Sequence, residues 1–134
     1  MDVCKHVLVV DDDERVLFVL GRILTGRSNG CEIATARNGR EALYKIRARY
    51  FDLVITDLRM PGLDGVELTE KVRTLSSDTA VIWITAHGCH KVEAEAVRLS
   101  VYECLEKPLK VTEIRRVVQE ALSSTDGQAS TSKQ

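Results

Sequence analysis

Five times along this chain a short run of consecutive apolar residues gives way to a segment whose apolar residues recur at helical spacing. HVLVV is followed by Val16, Leu17, Leu20, Ile23 and Leu24, and CEIAT by Ala42, Leu43 and Ile46 after the turn signal Asn38-Gly39. FDLVIT leads through Pro61 and Gly62 to Val66, Leu68, Val72 and Leu75, and AVIWIT leads through Gly88 to Val92, Ala96, Val97 and Leu99. A weaker run, VYECL, precedes Ile114, Val117, Val118, Ala121 and Leu122.

Strands that are continuously apolar and rich in Val and Ile suit a parallel sheet covered on both faces. The five βα units therefore predict an α/β fold built on an open, doubly wound, five-stranded parallel sheet with five helices. Residues 1–122 read as one domain, and residues 123–134, SSTDGQASTSKQ, as a polar disordered tail or the start of a linker. With 134 residues, 44% of them hydrophobic, the chain is large enough for a proper core. A formal net charge of −1 gives no electrostatic footing for nucleic acid or a membrane surface. No apolar run reaches the length of a membrane span, and a cytoplasmic location is expected. The four cysteines, Cys4, Cys31, Cys89 and Cys104, form no CxxC pair and are expected as buried free thiols rather than a disulfide framework.

Ligands of such sheets bind beyond the carboxyl ends of the strands. There the chain places Asp11, Asp12 and Asp13 after the first strand, Asp57 at the end of the third, Thr85 at the end of the fourth and Lys107-Pro108 after the fifth. The second strand ends near Ala36 and Arg37 and offers nothing comparable. Carboxylates about 4 Å apart repel by roughly 4 kcal/mol at an effective dielectric near 20, so the acid cluster calls for a cation. Oxygen ligands suit a hard ion, and Mg2+ typically takes one or two carboxylates and leaves places for phosphate oxygens. Asp57 could then act as nucleophile towards a phosphoryl group whose oxygens Thr85 and Lys107 hold. Taken singly, each residue has a plainer explanation: acids cap helices, Asp57 suits a turn, Thr85 a cap, Lys107 a solvated surface. Taken together, four of five strand ends carry complementary parts of one site.

Other chemistries find less support. HGCH, His87 to His90, lacks the second cluster that a structural zinc site requires. There is no Walker A or GxGxxG phosphate loop and no G-x-S-x-G elbow, and no dedicated nucleotide cofactor is expected.

In order and spacing, VLVVDDDE, DLVITDLRMPGLDG, VIWITAHG and CLEKPL resemble the signatures of the receiver domains of two-component response regulators, over roughly residues 5 to 122. The resemblance implies a flavodoxin-like sheet of order 2-1-3-4-5. It implies that Asp57 accepts a phosphoryl group from the histidine of a sensor kinase or phosphotransfer protein. Asp12 would be the more direct Mg2+ ligand and Asp11 would act mainly through water, with Asp57 and the Arg59 carbonyl completing the protein ligands. Thr85 and Lys107 would read the phosphoryl group, Ala86 would leave it access, and Pro108 would follow a cis bond. Asp13 is left as a helix-start residue. The chain would be a phosphoacceptor switch that assists its own phosphorylation and dephosphorylation, not a turnover enzyme. Its output face would be helix four, strand five and helix five, acting on an effector protein or a C-terminal output domain; a phosphorylation-dependent dimer is admitted.

The chain departs from the family at one point: Cys104 stands where a switch Tyr or Phe is usual, and Tyr102, by the two-residue period, would share its face of the strand. The rival readings are an aspartate-nucleophile phosphohydrolase of the haloacid dehalogenase type, using Asp11 and Asp13, and a pseudo-receiver that only binds.

Overall fold

The computed structural model describes residues 5–25 and 31–124. In chain order the elements are β1 (Lys5–Val10), α1 (Glu14–Thr25), β2 (Cys31–Ala36), α2 (Gly39–Ala48), β3 (Leu53–Asp57), α3 (Gly65–Leu75), β4 (Ala80–Thr85), a 3-10 turn (Cys89–Val92), α4 (Glu93–Arg98), β5 (Glu103–Glu106) and α5 (Val111–Ser124). The strands pair in parallel in the order β2-β1-β3-β4-β5, the flavodoxin-like arrangement expected. Of the tail expected at 123–134, Ser123 and Ser124 instead close α5, and residues 125–134 lie outside the described residues, as do Cys4 and residues 26–30.

Burial shows why the strands need not alternate in sequence. Val7, Val9, Ile55, Ile82 and Ile84 point to one face, against α1 and α5 through Leu20, Ile23, Val117 and Ala121. Leu8, Val10, Val54, Val81 and Trp83 point to the other, against α2, α3 and α4 through Ala42, Leu68, Val72 and Ala96. Successive residues thus enter opposite cores, and both faces must be apolar. Trp83 is fully buried, and its indole N–H donates to Thr69 Oγ1 at 2.8 Å, satisfying the one polar atom it carries inside.

Three expectations need correction. Cys89 and Cys104 are joined in a disulfide, not buried as free thiols; the chain folds the turn after β4 back over β5, which puts the two Cα atoms 5.8 Å apart across 15 residues of sequence. Tyr102 does not share a face with Cys104. It precedes β5, outside the strand whose period would fix its direction, and packs on the α1 and α5 side, whereas Cys104 packs on the opposite core. Val97, read as part of an apolar helix face, is 75% exposed, because α4 is only six residues long and turns Ala96 and Leu99 inwards instead.

Candidate functional site

The parallel register brings the strand ends level. Val10 stands beside Thr56, Asp57 beside Ile84, and Thr85 beside Glu106, so the residues that follow each strand share one edge of the sheet. Asp11, Asp12 and Asp57 each offer a carboxylate oxygen, and these oxygens lie within 4.8 Å of one another. Asp11 and Asp57 are buried and Asp12 is open to solvent. The Lys107 ammonium reaches across from β5, 3.1 Å from Asp11 Oδ2 and 3.3 Å from Asp57 Oδ2.

Local backbone holds these groups in place. Asp11 Oδ1 accepts the Asp13 N–H at 2.9 Å, and Asp57 Oδ1 accepts the Arg59 N–H at 3.2 Å. Gly65 packs against the back of Asp57; a Cβ there would strike the Asp57 carbonyl oxygen and sit 2.8 Å from the Leu58 Cα. Asp64 caps α3 reciprocally with Glu67, fixing the entry of the helix behind that turn. Thr85 is buried, and its hydroxyl donates to the His87 carbonyl at 3.2 Å rather than to Asp57.

The electrostatics are those of an incompletely neutralised acid site. Burial, with the neighbouring Asp57 charge, raises the Asp11 carboxyl pKa in spite of the Asp13 N–H and Lys107. Burial works against the Lys107 ammonium, but Asp11 and Asp57 outweigh it and the net shift is upward. Among the described residues the enclosed Asp11 Oδ2 makes no hydrogen bond of good geometry, and the Lys107 ammonium stands 3.1 Å from it. One cation for three carboxylates leaves negative charge, and a hard divalent ion fits such an oxygen set. Asp11, Asp12 and Asp57 could hold a metal.

Asp13 takes no part in this cluster. Its carboxylate accepts the Arg15 N–H at 2.9 Å, and its carbonyl receives the Val16 and Leu17 N–H groups, as a helix start requires. The Asp11 and Asp13 pair of the hydrolase reading is therefore not assembled. One residue of the site region escaped the sequence reading. Glu106 accepts the Gly88 N–H at 3.0 Å and the Cys89 N–H at 3.2 Å, tying the turn after β4 to the end of β5. An exposed glutamate beside a lysine looks solvated in sequence; only the free N–H groups of the facing turn reveal its work.

This sheet, with its acid pocket and crossing lysine, defines a phosphoacceptor-type signalling domain. Residues 7–119 match the family described as response regulator receiver domain, and the chain belongs to that family. It is 35% identical over 119 residues to the transcriptional regulatory protein ZraR of Klebsiella oxytoca, covering 89% of this chain and 26% of that protein. It is 33% identical over 117 residues to the DNA-binding transcriptional regulator NtrC of Salmonella typhimurium, covering 87% of this chain and 24% of that protein. The chain thus spans about a quarter of the length of these curated relatives. A CheY-like receiver domain protein from Methanospirillum hungatei superposes with a TM-score of 0.87 at 25% identity, over 94% of this chain and 99% of that one. NtrX from Brucella abortus superposes with a TM-score of 0.84 at 29% identity, over 97% of this chain and 29% of that one.

Proposed function

We propose that Asp57 is the phosphoacceptor of a two-component relay and that its loading depends on Mg2+ held by Asp11, Asp12, Asp57 and the Arg59 carbonyl. The observation that carries this reading is the Lys107 ammonium set between Asp11 and Asp57, at 3.1 and 3.3 Å, beside an open acid, Asp12. An Asp57 carboxylate oxygen attacks the phosphorus of a phosphohistidine; the P–O bond forms as the P–N bond breaks, and the imidazole leaves with the electron pair. When held by these residues, Mg2+ would supply charge neutralisation for the transferring phosphoryl group. Lys107 then exchanges its carboxylate contact for a phosphoryl oxygen, and Thr85 gives up the His87 carbonyl to donate to another.

The donor is a sensor histidine kinase or a phosphotransfer protein, and the recipient of the switch is an effector protein or a C-terminal output domain of the kind that regulates transcription. The face formed by α4, β5 and α5 carries the signal, with dimerisation as one form it takes. The domain is a switch and not a turnover enzyme. It works in the cytoplasm without touching nucleic acid or membrane itself; no helix among the described residues is long and apolar enough to cross a membrane.

Intact-mass spectrometry after incubation with acetyl phosphate tests this reading. One Mg2+-dependent phosphoryl adduct is expected on the wild type and none on Asp57→Asn. An adduct that persists on Asp57→Asn, or none on the wild type, would overturn it.

A further inference from the structure

The disulfide falls at a mechanically sensitive place. Cys89 lies four residues beyond Thr85 and Cys104 three residues before Lys107, so the bridge ties together the two arms that carry the hydroxyl and the ammonium of the site. The segment it encloses, with the 3-10 turn and α4, is otherwise lightly held. Neither element has a fully buried residue or a side-chain cap at its start. Val92, Ala96 and Leu99 rest on the core, and the segment's polar ties include the Glu106 carboxylate on Gly88 and Cys89, the Arg73 guanidinium on the Leu99 and Ser100 carbonyls, and the exposed Arg98–Glu70 pair. Segments with few buried contacts open most readily, so one covalent tie there decides how far the segment moves.

Both cysteines are half-buried rather than sealed in the core. A small thiol or disulfide can therefore reach them, as exchange requires.

We propose that Cys89 and Cys104 are a reversible redox switch: the disulfide holds residues 86–106 in one arrangement and uncouples them from phosphorylation, and the dithiol releases them. The bridge itself is independent of the phosphoacceptor reading; the uncoupling rests on it. A low-molecular-weight disulfide is the oxidant. The thiolate of one cysteine attacks it and expels one small thiol, leaving a mixed disulfide. The second cysteine attacks the protein sulfur of that intermediate and expels the other small thiol. Two protein thiols lose two electrons, and the small disulfide gains them and both protons. In a reducing compartment such a bond forms and breaks with redox conditions instead of serving as a permanent staple.

The test uses the 134-residue chain equilibrated across a series of reduced to oxidised glutathione ratios, alkylated, and mapped for the peptide linked through Cys89 and Cys104. Each state is then treated with acetyl phosphate and Mg2+, and deuterium uptake over residues 86–106 is compared with and without the adduct. The linked peptide should appear and vanish within the series. The adduct should form in both states, and the exchange response of residues 86–106 should shrink at least fivefold in the oxidised one. Cys89→Ser and Cys104→Ser should each respond like the reduced wild type at every ratio, as should Cys104→Ala if the serine variants fold poorly. A linked peptide that never forms, or never disappears, would overturn the switch, as would equal exchange responses in the two states. Absence of the adduct in both states would overturn the phosphoacceptor reading and the uncoupling with it, and absence in the oxidised state alone would overturn the uncoupling only, while the peptide map would still report the bridge.

Discussion

Lys107 Nζ lies 3.3 Å from Asp57 Oδ2 while also lying 3.1 Å from Asp11 Oδ2, so a single ammonium compensates two buried carboxylates that stand at the ends of the neighbouring strands β1 and β3. Removing it leaves both acids facing each other without a cation. Lys107→Ala is expected to destabilise the metal-free domain by about 1–2 kcal/mol, below the cost of breaking a fully buried pair because a quarter of the lysine side chain meets solvent. Much of that loss should vanish in Lys107→Ala/Asp11→Asn. Urea unfolding of the four proteins of the cycle measures it, and equal losses in both backgrounds would mean that the lysine acts through packing alone.

Asp11 should behave in the opposite sense. Its carboxyl pKa is raised in the folded protein, chiefly by burial, so the folded state holds that proton more tightly than the unfolded chain does. The stability this contributes is fully present below the unfolded value of 3.8 and is lost as the pH rises through the raised folded value. At pH 7 the charge is a liability, and Asp11→Asn is expected to raise Tm in the absence of divalent ions, by about 3–5 °C for each 1 kcal/mol relieved. The same variant should lose the further rise that Mg2+ gives the wild type. Thermal melts with EDTA and with Mg2+ separate the two effects; a lower Tm in EDTA would show that the Lys107 contact outweighs the burial.

The positions of Asp57, Thr85 and Lys107 were legible because a parallel register makes strand ends coincide, and four complementary residues at four ends are hard to place otherwise. Their working state was not. Nothing in ITAHG says that the Thr85 hydroxyl rests on the His87 carbonyl, since that depends on how the turn closes. The Cys89–Cys104 pairing was equally hidden. Spacing within the sequence carries no signal for two cysteines brought together only when the β4 turn folds over β5. Val97 misled because helical period tells where an apolar residue could face, and α4 is too short and too near the rim to cover it.

Glu106 gives the tie between the β4 turn and β5 a pH dependence of its own. The Cys89 and Gly88 N–H groups hold its carboxyl pKa below the usual value of 4.5. A depressed carboxyl contributes stability that is present above 4.5 and is lost as the pH falls through the folded value. The amide proton shifts of Gly88 and Cys89 should therefore titrate together, with a midpoint below 4.5, and stay flat in Glu106→Gln. NMR of the labelled protein measures this. A midpoint at or above 4.5 would mean that these contacts are too transient to hold the turn.

Two glycines of the same chain should respond to alanine in opposite directions. Gly65 sits where a Cβ would meet backbone, the Asp57 carbonyl and the Leu58 Cα, and neither can yield without moving the end of β3. Gly65→Ala is expected to cost about 1–3 kcal/mol, as overpacking does. It should also slow adduct formation on Asp57, because the displaced backbone is the one that aims the carboxylate. Gly21 lies inside α1, where a Cβ would meet nothing within 4 Å. Gly21→Ala removes backbone freedom from the unfolded chain without a clash and should stabilise the domain by about 0.5–1 kcal/mol, leaving phosphorylation unchanged. Urea unfolding read beside the rate of acetyl phosphate labelling checks both variants. Labelling at the wild-type rate by a destabilised Gly65→Ala would show that the turn behind Asp57 supports the fold without directing the site.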